Sequence, residues 1–355
     1  MTRRVFAVSV LTVAIALVPA AAFACGGLVA PNGAVNLLRT TTLAGYHDGV
    51  EHYVTSFTFG GVSSGSFGSL VPLPGEPTDV VRGGDWTLQR LIKEVTPQPR
   101  RRISLFATAA GVADSAEVIL ETKIDALDIT VLKGGADEVG VWAGQNGFKL
   151  SPDAPEVLDF YASRSPYFMA AKFDAGRAAE LGQGAGDGTP VHITIPTGNP
   201  WVPLRILALG KGSAAPVQAD LFLLTDVEPA TLPAPKGTST LGLPQAPGLT
   251  LARSEQASDS LIEDLRSDKG MDWIPETGMW LSYVKIDARA RDVTYDLAID
   301  ASGRGEPSWI AAGLRGLQPA DIGPVNGFML GSLLGALLIA VVFSARRIRS
   351  HPAGL

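Results

Sequence analysis

Apolar and polar positions divide the chain into two uncharged ends and a long middle of short, alternating segments. Residues 5–18 carry no charge and follow Arg3-Arg4, while residues 323–345 carry none and precede Arg346, Arg347 and Arg349. Between them, apolar residues recur mostly with period two, which predicts strands joined by turns and only a few short helices. Residues 40–59 predict a β-hairpin. Asp48-Gly49 supplies the two positive-φ positions of a type I′ turn, and Tyr53-Val54-Thr55-Ser56-Phe57 alternates beyond it. Residues 60–68 form a Gly/Ser loop and 67–73 another strand. Asp85 is the expected cap of a helix whose Leu88, Leu91, Ile92 and Val95 share a face and which Pro97 stops.

Further strands are expected at 103–107, 124–132, 167–173 and 191–195. Helices are expected at 137–145 and after Ser151-Pro152, and residues 201–209 and 219–224 as a buried pair. The proline-rich stretch 228–248 has no amphipathic pattern and suggests a linker or surface excursion. A helix at 258–266 and strands at 279–286 and 294–299 then return to the main sheet. The expected fold is α+β: mostly antiparallel sheet with a few short helices in one compact domain, residues 25–318, plus one C-terminal transmembrane helix.

The two ends give that domain its expected address. Arg3-Arg4, the apolar run and Ala22-Phe23-Ala24 have the layout of a signal peptide, residues 1–24, with Cys25 first in the mature chain. Three fates of Cys25 stay open: a lipid anchor, an intermolecular disulfide or an unmodified thiol. As a helix, residues 323–345 would span about 34 Å, enough for a hydrocarbon core of about 30 Å. The arginines that follow keep the tail, residues 346–355, in the cytoplasm and leave the N-terminus outside. Gly327, Gly331 and Gly335 form a stripe of the kind that lets two spans pack as a homodimer, and equally one of glycines common in any such span.

Composition narrows the chemistry. The chain has 40 Gly and 25 Pro, which favours turns over long helices. Its net charge of −6 grows more negative once the five terminal arginines are set aside, so a nucleic-acid partner is not expected. Arg100-Arg101-Arg102 is the local exception, read as a solvated strand edge or a gatekeeper against aggregation. A single cysteine excludes an intrachain disulfide and cysteine-built zinc sites.

In the expected hairpin His47 pairs with Val50, and His52 lies two residues further along the same face, so the imidazoles can sit diagonally across the strands. They are the candidate metal ligands, set against a solvated or partner-binding hairpin tip. Glu51 points to the opposite face, and Asp48 belongs to the turn. His192 sits in an alternating strand, where a core or edge role is expected. There is no G-x-S-x-G, H-E-x-x-H or phosphate-loop pattern, so no catalytic residue or cofactor is assigned. Of the six tryptophans, Trp309 is placed near a membrane surface by its distance from the apolar run.

Several stretches carry a resemblance. Cys25-Gly26-Gly27-Leu28, His47-Asp48-Gly49-Val50-Glu51-His52-Tyr53 and Val71-Pro72-Leu73-Pro74 resemble the domain-of-unknown-function 2330 family of bacterial envelope proteins. So do residues 142–148, Tyr167-Phe168 with Lys172, and Val202-Pro203-Leu204-Arg205, the likeness running from Cys25 to Ile299. The resemblance implies location and fold and carries over no catalytic residue. The expected role is a membrane-anchored extracytoplasmic module that binds an envelope polymer or another membrane protein without catalysis. The alternative is an enzyme acting on envelope material through acidic residues.

Overall fold

A computed structural model of the chain describes residues 27–29, 40–57, 67–96, 118–182, 188–238 and 243–314. Cys25, the arginine triplet, the strand expected at 103–107 and the run 323–345 with its three glycines lie outside the described residues.

Along the chain come β1 (Gly27–Val29), β2 (Thr40–His47), β3 (Val50–Phe57), β4 (Phe67–Pro72), β5 (Asp79–Arg82) and α1 (Thr87–Val95). The hairpin β6 (Val118–Ile124) and β7 (Leu127–Lys133) leads into α2 (Ala136–Gln145) and α3 (Ala154–Ala162). Next are β8 (Tyr167–Phe173), α4 (Ala175–Glu180), β9 (Thr189–Pro196), β10 (Trp201–Val202) and a 3-10 turn at Arg205–Ala208. The last part holds β11 (Pro216–Thr225), β12 (Ala230–Leu232), β13 (Ala234–Lys236), β14 (Gln245–Gln256), α5 (Asp259–Arg266), β15 (Trp280–Arg289) and β16 (Leu297–Asp300).

Eight strands form one sheet in the order β13-β14-β15-β11-β2-β3-β9-β5, parallel only where β13 meets β14 and β11 meets β2. A second, antiparallel sheet runs β1-β4-β8-β7-β6, and β10-β16-β12 make a small third. The antiparallel-rich fold with few short helices is the one the alternation implied. Among the described residues, no helix is long and apolar enough to cross a membrane.

Alternation along β3 shows how the layers form. Tyr53 enters a large core shared with the five-stranded sheet, α2 and α3; Val54 enters a smaller one under α1 and α5. Adjacent residues of one strand therefore lie in different interiors. The turn linking β2 to β3 is the expected one, with φ of 49° at Asp48 and 81° at Gly49.

Five expectations need correction. Residues 228–248 are no linker: they supply β12, β13 and the start of β14. Pro235 is tolerated because β13 is the sheet edge, where a missing N–H costs no ladder bond. Residues 201–209 do not pair with β11; β10 pairs with β16, and the rest is the 3-10 turn. The stretch 124–132 is split, because Asp125 (φ 51°) turns the chain between β6 and β7. Two helix caps also move. α1 is capped from far along the chain, the Asp268 carboxylate accepting from Trp86 N (3.1 Å), Thr87 N (2.7 Å) and Thr87 Oγ1 (2.6 Å). Asp85 instead pairs with Arg82 at 2.6 Å. α3 is preceded by Asp153 in place of Ser151.

Candidate functional site

The face of the eight-stranded sheet under α1 and α5 brings His52 and His192 together. In the β2–β3 register His47 opposes Val50 and His52 opposes Gly45, as the spacing predicts. The β3–β9 register sets Val54 opposite His192 and Thr194 opposite His52, so His52 and His192 are diagonal neighbours. Nδ1 of His52 lies 3.0 Å from Nε2 of His192. Trp273 stacks on His52 with ring centroids 4.1 Å apart and planes 2° from parallel. Gly45 makes room for that indole: a Cβ there would come within 2.7 Å of Trp273 Cζ2. The loop carrying Trp273 follows α5 and is anchored by the Asp268 cap on α1, so two helices and a glycine fix one stack.

Burial dominates the electrostatics here. It pushes the His52 pKa down to about 3, helped by His192 and His47 and opposed by Asp272. It pushes His192 down to about 4 against Asp79 and Asp272, and His192 Nδ1 has no hydrogen-bond partner. Both rings are neutral at neutral pH. A 3.0 Å contact then needs one facing nitrogen with a proton and one without, which two neutral imidazoles provide.

Neutral imidazole is also the metal-binding form. Among the described residues, however, no group of three or more His, Cys, Asp and Glu side chains is placed to hold a metal ion. His47 shares the face with His52 but is engaged elsewhere, its Nδ1 2.7 Å from Asp226 Oδ1 and its Nε2 3.5 Å from Asp48 Oδ2.

On the opposite face, Glu51 stands between Tyr46 and Ile195 in the large core, 1% exposed, with no hydrogen-bond partner on either oxygen. Desolvation raises its pKa to about 8, outweighing the backbone of Trp201, which favours the charged form. Its carboxyl is therefore protonated in the folded protein at neutral pH.

Nearby lies a satisfied network. Asp296 Oδ1 accepts from Leu204 N (2.7 Å), Arg205 N (3.0 Å) and Tyr161 Oη (2.9 Å), and Oδ2 accepts from Arg164 Nη2 (2.5 Å). Tyr161 Oη in turn accepts from Ile206 N at 2.8 Å, and burial beside Asp296 holds its pKa well above the ordinary range. The Arg164 guanidinium lies over the rings of Phe160, Tyr161 and Trp201. One carboxylate thus joins α3, the 3-10 turn and the approach to β16. A third buried charge, Arg177, donates to Asp125 O at 2.8 Å and pairs with Asp128 at 3.1 Å.

Sequence reasoning placed His47, His52 and the direction of Glu51. It missed His192 as the partner of His52, and it missed Trp273, Asp296 and Arg164. A polar residue inside an apolar run, as at Asp296, was the available signal, but its partners lie over 90 residues away.

Solved structures with a similar path include baculovirus P35, at 9% identity and a TM-score of 0.40 over 75% of this chain and 97% of that one. A caspase-cleaved, mutated baculovirus P35 matches at 8% identity and 0.38 over 74% and 99%. No curated protein is similar to the chain. The family model described as "Uncharacterized protein conserved in bacteria (DUF2330)" matches residues 19–234, more than half the chain and ending at β13, short of the Ile299 that the resemblance reached; the chain belongs to that family.

Proposed function

We propose that the chain is a membrane-anchored extracytoplasmic module of the bacterial cell envelope, non-catalytic, binding an envelope polymer or another membrane protein. The layout of residues 1–24 and the apolar run 323–345 ahead of three arginines support this placement, N-terminus outside and C-terminus in the cytoplasm. Gly327, Gly331 and Gly335 would let two such spans pair. The observation that carries the non-catalytic half is how the buried charge is used. Asp296 and Asp268 are each taken up by three or more bonds that join distant segments, and the two closest imidazoles bind each other. Such groups are committed to holding the fold, with His192 Nδ1 the one buried nitrogen or oxygen of these pairings left without a partner.

Protease added to intact spheroplasts should digest the domain and spare an epitope placed after Leu355. Digestion of the epitope overturns the orientation. One observation favours the second reading, an enzyme of envelope material: Glu51 is a carboxyl kept protonated at neutral pH, the form a general acid needs. In that case Glu51→Gln would abolish turnover of envelope polymer with the fold intact; full turnover by the variant removes this reading.

A further inference from the structure

We propose that the end of the domain formed by the 308–314 turn rests against the bilayer surface, with Ile310 and Trp309 in the headgroup region. This builds on the anchored reading above and adds which face of the domain meets lipid.

The fold brings the first and last described segments towards the same place. β1, whose Gly27 follows Cys25 by two positions, touches the 3-10 turn Arg205–Ala208. That turn hangs on Asp296, and Asp296 N donates to Ala312 O at 3.1 Å. Arg164 Nη1 donates to Ala311 O at 2.6 Å. The 308–314 turn is closed by its own bonds, Ala312 N to Ser308 O, Gly313 N to Ile310 O and Leu314 N to Trp309 O, each 3.0 Å. Gly313, at φ +71°, lies so close to Phe160 that a Cβ would overlap its ring. The turn is therefore a rigid feature, with Ala311 and Ala312 in the core.

What it turns outward is apolar. Ile310 is 45% exposed, one of three large hydrophobic side chains exposed among the described residues, and Trp309 is half-buried beside it. The length of chain beyond names the occupant. Residues 315–322 separate Leu314 from the apolar run, and fully extended they reach about 28 Å. The exit point cannot stand further than that from the hydrocarbon once the run is inserted. Tryptophan paired with an exposed aliphatic side chain suits the membrane–water boundary.

The test uses the full chain with Cys25→Ala, which removes the single thiol. Ile310→Cys, or Thr277→Cys as a control on an exposed loop over the opposite face of the large sheet, carries an environment-sensitive fluorophore. The protein is placed in vesicles of phosphatidylethanolamine and phosphatidylglycerol. At 310 the label should be quenched by doxyl lipid and be about threefold less accessible to aqueous iodide than at 277, as for a group at the interface. Equal iodide quenching at both positions, in protein that floats with the vesicles after a carbonate wash, overturns the proposal and leaves the anchor standing. Protein that does not float removes the anchored reading, and this one with it. Without any label, Trp309→Phe should remove part of the tryptophan quenching by doxyl lipid; unchanged quenching overturns the proposal.

Discussion

Glu51 and His52 are neighbours on β3, and the pleat sends them into different interiors. Glu51 enters the large core without a hydrogen-bond partner, whereas His52 meets His192 at 3.0 Å and lies flat under Trp273. Burial holds both side chains neutral, but neutrality has opposite meanings for an acid and a base. Glu51 keeps a proton that the unfolded chain would lose above its ordinary value of 4.5, so its contribution to stability falls as pH rises from there to about 8. The histidines refuse protons that the unfolded chain takes up below 6.5, so theirs falls as pH drops from 6.5 towards 3 to 4. Two imidazoles weigh against one carboxyl. Their slopes cancel where each unfolded histidine is half protonated, which places the stability maximum set by these three groups at a pH of about 6.5. One strand thus carries both an acid-sensitive and a base-sensitive face.

The largest expected effect lies on the inner side, the face turned to the large core, where charge is satisfied; the face under α1 and α5 is the outer one. Asp296→Ala leaves Arg164 buried without its carboxylate and should cost about 3–5 kcal/mol. Asp226→Ala on the outer side, removing the partner of His47 from a side chain 42% exposed, should cost less than about 1 kcal/mol. Thermal melts of the full chain in detergent compare the two, and equal losses would erase the distinction between the faces. Next comes Glu51→Gln. It should abolish the loss of stability between pH 4.5 and about 8, on the order of 5 kcal/mol as an upper bound. A variant whose pH slope matches the parent's would place that slope elsewhere. Third is Gly45→Ala, which pushes Trp273 off His52 and should cost about 1–3 kcal/mol by overpacking. Its signature is a shift in tryptophan emission absent from a conservative change on the inner face, such as Val191→Ala.

How far the sequence foretold this depends on the range of the contact. The hairpin at Asp48-Gly49 was legible because its signal is local: two turn residues between alternating strands fix register, and register fixes which face His47 and His52 share. The cap of α1 was not, because Asp268 comes from 181 residues away and displaces the nearer Asp85. β14 was hidden by composition. It holds Pro247 and Gly248, and although burial alternates along it, Leu249 is its one fully buried residue, so the alternation carries little apolar signal. The residue types around His52 were visible, but its pairing with His192 depends on β9 lying beside β3, a fact of topology that no local pattern encodes.

The smallest effect sharpens the comparison most. His52→Gln keeps a side chain able to donate or accept towards His192, so at pH 7 the melting temperature should change little. The difference appears only on acidification. In the parent, the unfolded chain gains two protons at these sites below 6.5 while the folded chain gains none until about 4. In the variant it gains one, so the acid-side slope attributable to this face should halve. His192→Gln should behave alike, and the double change should flatten this part of the profile, leaving only the opposite slope of Glu51. The groups that face the pair, His47, Asp79 and Asp272, remain in every variant and set the common background. Melting curves taken between pH 4 and 7 in steps would read the slope directly. If the double variant keeps the parent's acid sensitivity, the imidazoles are not the groups that β3 keeps from protons, and the opposition between its two faces fails.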